Sequence, residues 1–503
     1  MGLFALSRLL GVLRQSIVAA LFGAGAEFDA YVAASRVPEM VFLVVAGGAL
    51  GSAFIPAFTD HLAEGDRAGA WRLASAVVNL AVLVLTAMAG LLAILAPVLV
   101  RSVIAPGFSP QQQVLTVDLL RLMLISPIVF GASGLVMGAL NAHQHFLLPA
   151  LAPSVYNLSI IGGALLGRHL GVRGMAIGVV VGSVLHLLVQ VPMLLRLGAR
   201  YIPALGLRDP SVREVGRLIV PRMLGTAVSQ LNFVVNNSLA SAMFEGAVSA
   251  VDYAWRLMLL PQGILAQAIG TAAFPTFADQ VARGERDEMR RTLAATLRTV
   301  VFLSVPATVG LLVLGRPLVG LLFERGAFEA SSTEAVVWAL AFFALGLVGH
   351  AGLEVVARAF YALHDTLTPV WAGGLAMGLN VVLSLTLPGA FDGLGWPRHG
   401  GLALSNSVAT LLELVLLLVL IRRRVGGVEG RRTATTFVKS GVAALLMGLG
   451  LLAWQALLRD AGSLVLGGGG VVLGAAVYLG SALLLRAEEP QAVIGLLCRE
   501  RQC

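Results

Sequence analysis

Long apolar stretches alternate with short polar ones along the whole chain. A helix needs about 20 predominantly apolar residues to cross a bilayer. Stretches of that kind lie near 3–23, 32–58, 75–101, 117–141, 148–167, 174–195, 218–243, 250–275, 299–323, 335–357, 367–390, 399–421, 434–458 and 463–485. They predict an all-α polytopic membrane protein of fourteen transmembrane helices, the first two spans being the least apolar. With the N-terminus inside, the inside loops, among them 196–217, 279–298, 422–439 and the tail from 486, hold about 22 Arg or Lys against about five outside, and 24–31 and 102–116 hold none. Basic residues collect on the cytoplasmic side. The expected orientation is therefore N-in and C-in, with an even number of spans.

The two halves resemble each other. Ser52-Ala53-Phe54-Ile55-Pro56-Ala57-Phe58-Thr59-Asp60 recurs as Thr271-Ala272-Ala273-Phe274-Pro275-Thr276-Phe277-Ala278-Asp279, at an offset of 219. Gly65 matches Gly284 at the same offset, while Pro97/Pro317, Phe108/Phe328 and Pro149/Pro369 match at 220. Asp29/Asp252 and Pro38/Pro261 match at 223. Six spans per repeat make the two repeats parallel, the organisation of transporters that rock two lobes about a central site. The expected division is an N-lobe over 1–197, a C-lobe over 198–425, two added helices within 426–486 and a cytoplasmic tail over 487–503.

Composition sharpens this picture. The chain is 58% hydrophobic and 12% charged, and its mean hydropathy is +0.88, which excludes an ordinary soluble domain. Its net charge is +8, nearly all from Arg, Lys439 being the single lysine. In a soluble protein that balance would point to nucleic acid. Here cytoplasmic loops account for it, and no nucleic-acid partner is expected. Cys498 and Cys503 form neither zinc spacing nor a disulfide framework. Arg14 interrupts the first apolar run and no Ala-x-Ala site follows, so that segment is expected to stay in the mature protein. There is no Walker A sequence, no His-Glu-x-x-His, no Gly-x-Ser-x-Gly and no metal-ligand cluster, so neither ATP, a metal, a cofactor nor enzymatic chemistry is expected.

Charges inside the spans carry the candidate chemistry. An ionised group at mid-bilayer costs at least ~2.5 kcal/mol, so such groups face polar cavities or one another. Arg8 and Arg222 lie near cytoplasmic ends, where long side chains snorkel to the interface. Asp252 with Arg256, and Glu354 with Arg358, stand one helical turn apart and can neutralise each other. Arg14 has no acid three or four residues away, and Arg36 lies deep beside Glu39. For Arg14, Arg36 and Arg256 two readings stand side by side, contact with an anionic substrate and structural ion pairing. Guanidinium binds phosphate through paired hydrogen bonds, so the anion favoured is a phosphorylated one.

Further motifs make the chain familiar. Ser7-Arg8-Leu9-Leu10-Gly11-Val12-Leu13-Arg14, Phe22-Gly23-Ala24-Gly25, Asp29-Ala30 and Gly47-Gly48-Ala49-Leu50 open the first half. Arg256-Leu257-Met258, Pro261-Gln262-Gly263, Phe360-Tyr361, Asp365-Thr366 and Thr368-Pro369-Val370 follow in the second. Together they resemble the MurJ/MviN family of the multidrug/oligosaccharidyl-lipid/polysaccharide exporter superfamily, over nearly the whole chain. The resemblance implies a flippase in the bacterial cytoplasmic (inner) membrane. It would move lipid II, the undecaprenyl-pyrophosphate-linked peptidoglycan precursor, between leaflets for cell-wall synthesis, with cell-wall synthases as candidate partners. It implies cavity arginines at Arg14 and Arg256, with Arg8 and Arg36 beside them, and a lipid-tail groove made by the last two helices. A second-span arginine pair of some members is replaced here by Phe42 and Leu43. A sodium site of some members implies a candidate ion site at Asn236, Asn380 and Ser384, where Asn236 and Ser384 stand in place of acids.

Three rivals remain open at this point. A flippase for another lipid-linked oligosaccharide differs only in these motifs. A cation-coupled multidrug exporter would want an acidic cavity, against the excess of intramembrane Arg. A polyprenyl glycosyltransferase would need catalytic acids and a sizeable extramembrane region, which the short loops do not supply.

Overall fold

The computed structural model describes residues 2–45, 49–487 and 489–490. Gly47, Gly48, Cys498 and Cys503 lie outside them, as does the side chain of Arg222. Every regular element among the described residues is helical. The chain divides into two compact units, 1–249 with 325–329, and 250–324 with 330–503.

The first unit contains α1 (Gly2–Phe22), α2 (Ala26–Val45), α3 (Ala49–Ala63), α4 (Arg67–Leu99), α5 (Pro110–Met123), α6 (Ile125–Ala142), α7 (Leu147–Leu170), α8 (Val172–Leu188), the short α9 (Val191–Arg196) and α10 (Pro210–Ser241). α11 (Ala247–Pro261) begins at its edge and runs into the second unit. There follow α12 (Gln267–Ala282), α13 (Arg286–Leu322), α14 (Ala330–Leu345), α15 (Leu347–Ala362), α16 (Leu367–Gly393), α17 (His399–Val425), α18 (Gly430–Leu457) and α19 (Gly470–Leu484). The repeat reappears element by element. α4 and α13 start 219 residues apart, and α5 and α14 start 220 apart. Gln144 and His364, 220 apart, both take the left-handed conformation that ends α6 and α15.

Among the described residues ten helical stretches are long and apolar enough to cross a membrane, and the α14–α15 pair, bent by 44°, makes eleven. The expectation of fourteen also takes in α1, α2 with α3, and α10, which carry Arg8, Arg14, Arg36, Arg213 and Arg217 among their apolar residues. The outward faces are apolar: Leu91, Ile94, Val98, Leu445, Leu449 and Leu484 are exposed, as lipid-facing side chains are. Helices overrun the apolar stretches that announce them. α2 starts at Ala26 because Glu27 and Asp29 suit the positive end of a helix. α13 gains its first three turns from an amphipathic segment whose Met289, Leu293 and Leu297 are buried and whose charges face outward.

Two local devices shape the helices. Pro261 offers no amide hydrogen, and the chain answers with a π-turn over Gln262–Ala266 before α12 resumes. α7 and α8 meet backbone to backbone, since a Cβ on Gly163 would lie 2.5 Å from the Gly174 oxygen.

The last two helices dock on α13. Phe302, Val305 and Leu314 pack with Ala443, Ala444, Met447, Leu451, Tyr478 and Ala482, and the Tyr478 hydroxyl donates to the Phe302 carbonyl at 2.6 Å. Leading into α18, Glu429 accepts a hydrogen bond from Arg298 of α13 at 2.8 Å, with Arg432 at 3.6 Å. The Arg298 hydrogen bond, then its charge, hold the Glu429 carboxyl below its ordinary value of 4.5. A carboxyl lowered by folding stabilises above its ordinary value and loses that contribution as the pH falls through the folded one. Arg298→Ala is thus expected to lower the melting temperature in detergent at pH 7 by about 2 °C. The penalty should shrink on acidification below 4.5. A pH-independent penalty would leave only lost packing.

Candidate functional site

The arginines singled out from sequence fall in both units. Arg8 and Arg14 are on α1 in the first, Arg8 exposed and Arg14 half-buried. Six residues separate them, about 9 Å along the helix axis and on different faces. α7 braces this helix, the Asn157 amide donating to the Ser7 carbonyl at 3.3 Å.

Arg36 lies deeper, its side chain 14% exposed, with Glu39 at 3.6 Å. Its guanidinium sits 5.8 Å from the centre of the Phe233 ring of α10, where the ring face attracts a cation. Asn236 follows Phe233 by three residues, so it shares that face of α10, and the neighbouring Asn237 donates to the Ile104 carbonyl at 2.8 Å. Phe42 packs on Phe130 with ring centres 4.9 Å apart, and Leu43 is exposed. This part of α2 therefore presents apolar surface where an arginine pair would have added charge.

Arg256 belongs to α11 in the second unit. Its Nε donates to the Asp252 carboxylate at 2.6 Å, and Asp252 is almost wholly buried while a third of the Arg256 side chain is exposed. Tyr253 packs against Phe323, and Trp255 sets its edge against Phe343 and His350, which fixes the rotation of α11 and the direction of the pair. The carboxylate orients the guanidinium and lowers the cost of holding it in a low-dielectric region. Asn380 and Ser384, one turn apart on α16, are both buried, and the Ser384 hydroxyl donates to the Asn380 side-chain oxygen at 3.1 Å. The structure thus brings together Arg36 with Glu39, Asp252 with Arg256, and Asn380 with Ser384. Among the described residues no group of three or more His, Cys, Asp and Glu side chains is arranged to hold a metal ion.

One functional group escaped the sequence reading. Asp29, there a landmark of the repeat and part of a family motif without a role, is 1% exposed and accepts from the Gly246 and Ser249 amides, each at 2.7 Å, and from the Ser249 hydroxyl. It closes the start of α11 from α2. The available signal was an acid at matching places in both repeats, Asp29 and Asp252.

The comparisons with known proteins bear on the whole arrangement. The family model described as "Lipid II flippase MurJ" matches residues 18–466. A probable lipid II flippase MurJ of Rhizobium tropici is 31% identical over 494 residues, covering 95% of this chain and 90% of the relative. The lipid II flippase MurJ of Burkholderia cenocepacia is 31% identical over 476 residues, covering 91% and 89%. A solved structure titled "Lipid II flippase MurJ, inward closed conformation" superposes with a TM-score of 0.81 at 25% identity, covering 96% of this chain and 99% of that one. An inward-facing multidrug resistance MATE transporter of the MOP superfamily superposes with a TM-score of 0.70 at 17% identity over 84% of this chain and 96% of its own, a likeness of fold.

Proposed function

We propose that this chain, which belongs to the MurJ family of lipid II flippases, carries lipid II from the inner to the outer leaflet of the bacterial cytoplasmic membrane. The observation that carries the proposal is the family match over residues 18–466, which contains Arg36 and Arg256. It is a multi-pass transporter. N- and C-termini in the cytoplasm follow from the arginine-rich loops, and cell-wall synthases are its candidate partners. The pyrophosphate is read by Arg14, Arg36 and Arg256, with Arg8 at the entrance, while lobes over 1–197 and 198–425 alternate access to the head group. Asn236, Asn380 and Ser384 supply neutral oxygens alone, a donor set too weak in charge for tight sodium binding.

A wide apolar cavity supports the assignment of the last two helices to the lipid tail. Some 550 Å³ in volume, it is walled by Pro306, Gly310 and Leu314 of α13, Leu451 of α18, and Gly474 and Tyr478 of α19. A polyprenyl tail is apolar and long, and it must stay out of water while its diphosphate crosses a polar path. Gly310 is the place to test this, because no atom lies within 4 Å of where its Cβ would be. Gly310→Phe is expected to fold normally, to cut transport of a long-chain substrate about tenfold or more, and to spare an analogue with a short tail. Equal losses for both tails would remove the groove from the mechanism.

The function itself is tested by expression in cells depleted of their own lipid II flippase, alongside transport in reconstituted vesicles. Growth with transport is the expected result. A well-expressed chain that gave neither would overturn it.

A further inference from the structure

A second cavity, of about 450 Å³, lies within the second unit and is polar. Gln262, His350, Glu354, Arg358 and Tyr361 line it, with Phe274 as an apolar wall. Pockets of roughly 300–1,000 Å³ hold small organic ligands. Several of its polar groups are tied to the chain. Arg358 pairs with the Glu354 carboxylate and reaches the Thr271 hydroxyl of α12 at 3.3 Å. The Asn406 side-chain oxygen holds His350 Nε2 at 3.0 Å, which leaves Nδ1 of a neutral ring as an acceptor. Gln262 is different. It opens the π-turn after Pro261 and is 9% exposed, and among the described residues nothing pairs with its side-chain amide. Buried polar groups are satisfied as a rule, so an amide held in this way at a cavity wall points to a polar ligand.

The repeat shows what opens the place. α3 and α12 end 219 residues apart, and α6 and α15 end 220 apart. In the first unit Phe54 is wholly buried and fills the space beside Gly138, and Phe130 packs against Tyr156 and His186. At these offsets the second unit has Ala273 for Phe54, His350 for Phe130 and Ala357 for Met137. Glu354 and Arg358 take the places of Gly134 and Gly138. One copy of the fold fills this place with aromatic rings. The other leaves a polar hollow there, at the cost that membrane burial of charge entails.

α11 and its π-turn separate this cavity from the apolar groove. Leu257, Leu260, Pro261 and Leu265 line the groove, and Gln262 lines the cavity. Arg256 lies six residues before Gln262, about 9 Å along the helix. An amphiphile with its tail in the groove and its diphosphate at Arg256 brings whatever follows the diphosphate to the cavity. We propose that this cavity is a sugar-binding subsite that takes an N-acetylated amino sugar of the lipid-linked head group. The charge balance selects a neutral ligand. Arg358 is already matched by Glu354, so a lone anion gains little, and the guanidinium repels a metal ion. A pyranose is neutral, with a rim of hydroxyls and an apolar C–H face. Glu354 and Arg358 offer planar acceptors and planar donors to neighbouring hydroxyls, and Gln262 offers an amide to the acetamido group. Phe274 gives apolar surface to the ring face or the acetyl methyl. A peptide fits the place less well. Peptides are read along an open strand edge or in a long groove, and helical walls keep their backbone hydrogen bonds to themselves.

The lipid-linked source of the sugar rests on the flippase function proposed above; the binding of the sugar does not. The reconstituted full chain is irradiated with a soluble disaccharide of N-acetylated amino sugars that bears a photoreactive group, and the labelled peptides are mapped by mass spectrometry. Label is expected within 262–274 and 350–361, and an excess of the unmodified disaccharide should suppress it. Gln262→Leu, and Ala357→Met, which installs the residue of the first copy, are each expected to weaken labelling about tenfold. Absence of label, label elsewhere, label displaced by a short peptide and not by the sugar, or equal labelling of wild type and both variants would overturn the proposal. The map on the wild type decides alone if a variant does not fold. In vesicles, the disaccharide on the cytoplasmic side should raise the KM for the lipid-linked head group and leave kcat unchanged. Its inhibition of Ala357→Met should be about tenfold weaker. Transport indifferent to the disaccharide would remove the subsite and leave the flippase function standing. Label at the cavity without any transport would leave the subsite standing and remove the flippase function.

Discussion

Arg256→Ala will abolish rescue of cells depleted of their own flippase, and Asp252→Ala/Arg256→Ala will return the protein to the membrane without returning growth. The single variant acts in two ways at once. On the proposed substrate role it takes a guanidinium from the head group, and it strips the countercharge from Asp252, which is 1% exposed and bonded to Arg256 at 2.6 Å. Breaking a buried pair by removing one partner costs about 3–5 kcal/mol, enough to deplete the folded protein. Removing both partners cancels that second effect. An Arg256 that served structure alone would therefore be dispensable in the double variant, and growth supported by the double variant would refute the substrate role. Arg256→Lys keeps the charge and loses the forked geometry suited to a diphosphate. Its transport is expected to fall on the order of tenfold, the size of one charge-assisted hydrogen bond. Arg14→Ala, at a half-buried position, should match the growth defect of Arg256→Ala.

The parts of this molecule legible in sequence are those that local pattern determines. Prolines, glycines and aromatics at nearly constant offset, 219 to 223, announced the repeat. In the structure Gly65 and Gly284 share a left-handed turn, at φ +79° and +75°, and Phe108 and Phe328 are both buried. The pairs Asp252–Arg256 and Glu354–Arg358 were legible because a helix places residues four apart on one face. What sequence could not show depends on residues far apart in the chain. Phe233 beneath Arg36, Thr271 beside Arg358 and Arg298 against Glu429 are brought together only by packing. The start of α2 was read too late, because its first turn is polar and hydropathy does not register a helix that begins before its apolar run.

Asp29→Ala is expected to lower stability by about 2–4 kcal/mol and to abolish rescue, on account of what it leaves behind. The carboxylate satisfies the Gly246 and Ser249 amides and the Ser249 hydroxyl at a place sealed from water. The first amides of a helix have no partner within it, so α11 relies on this side chain from α2. The fit around it is close. Gly246 has φ +96°, and a Cβ there would meet the Ala24 oxygen at 2.5 Å, so the loop cannot shift to find another acceptor. The chain nearby is tied in the same sense, Ala26 donating to Glu245 at 3.3 Å and Gln112 to the Ala26 carbonyl at 3.3 Å. The variants should rank by the donors they strand. Ser249→Ala removes a donor and strands none, so it should be mild. Asp29→Asn keeps one acceptor oxygen and should be intermediate, and Asp29→Ala strands all three donors and should be worst. Thermal unfolding in detergent, read beside rescue, checks the ranking. An Asp29→Ala protein as stable as wild type would mean that α11 does not depend on its cap.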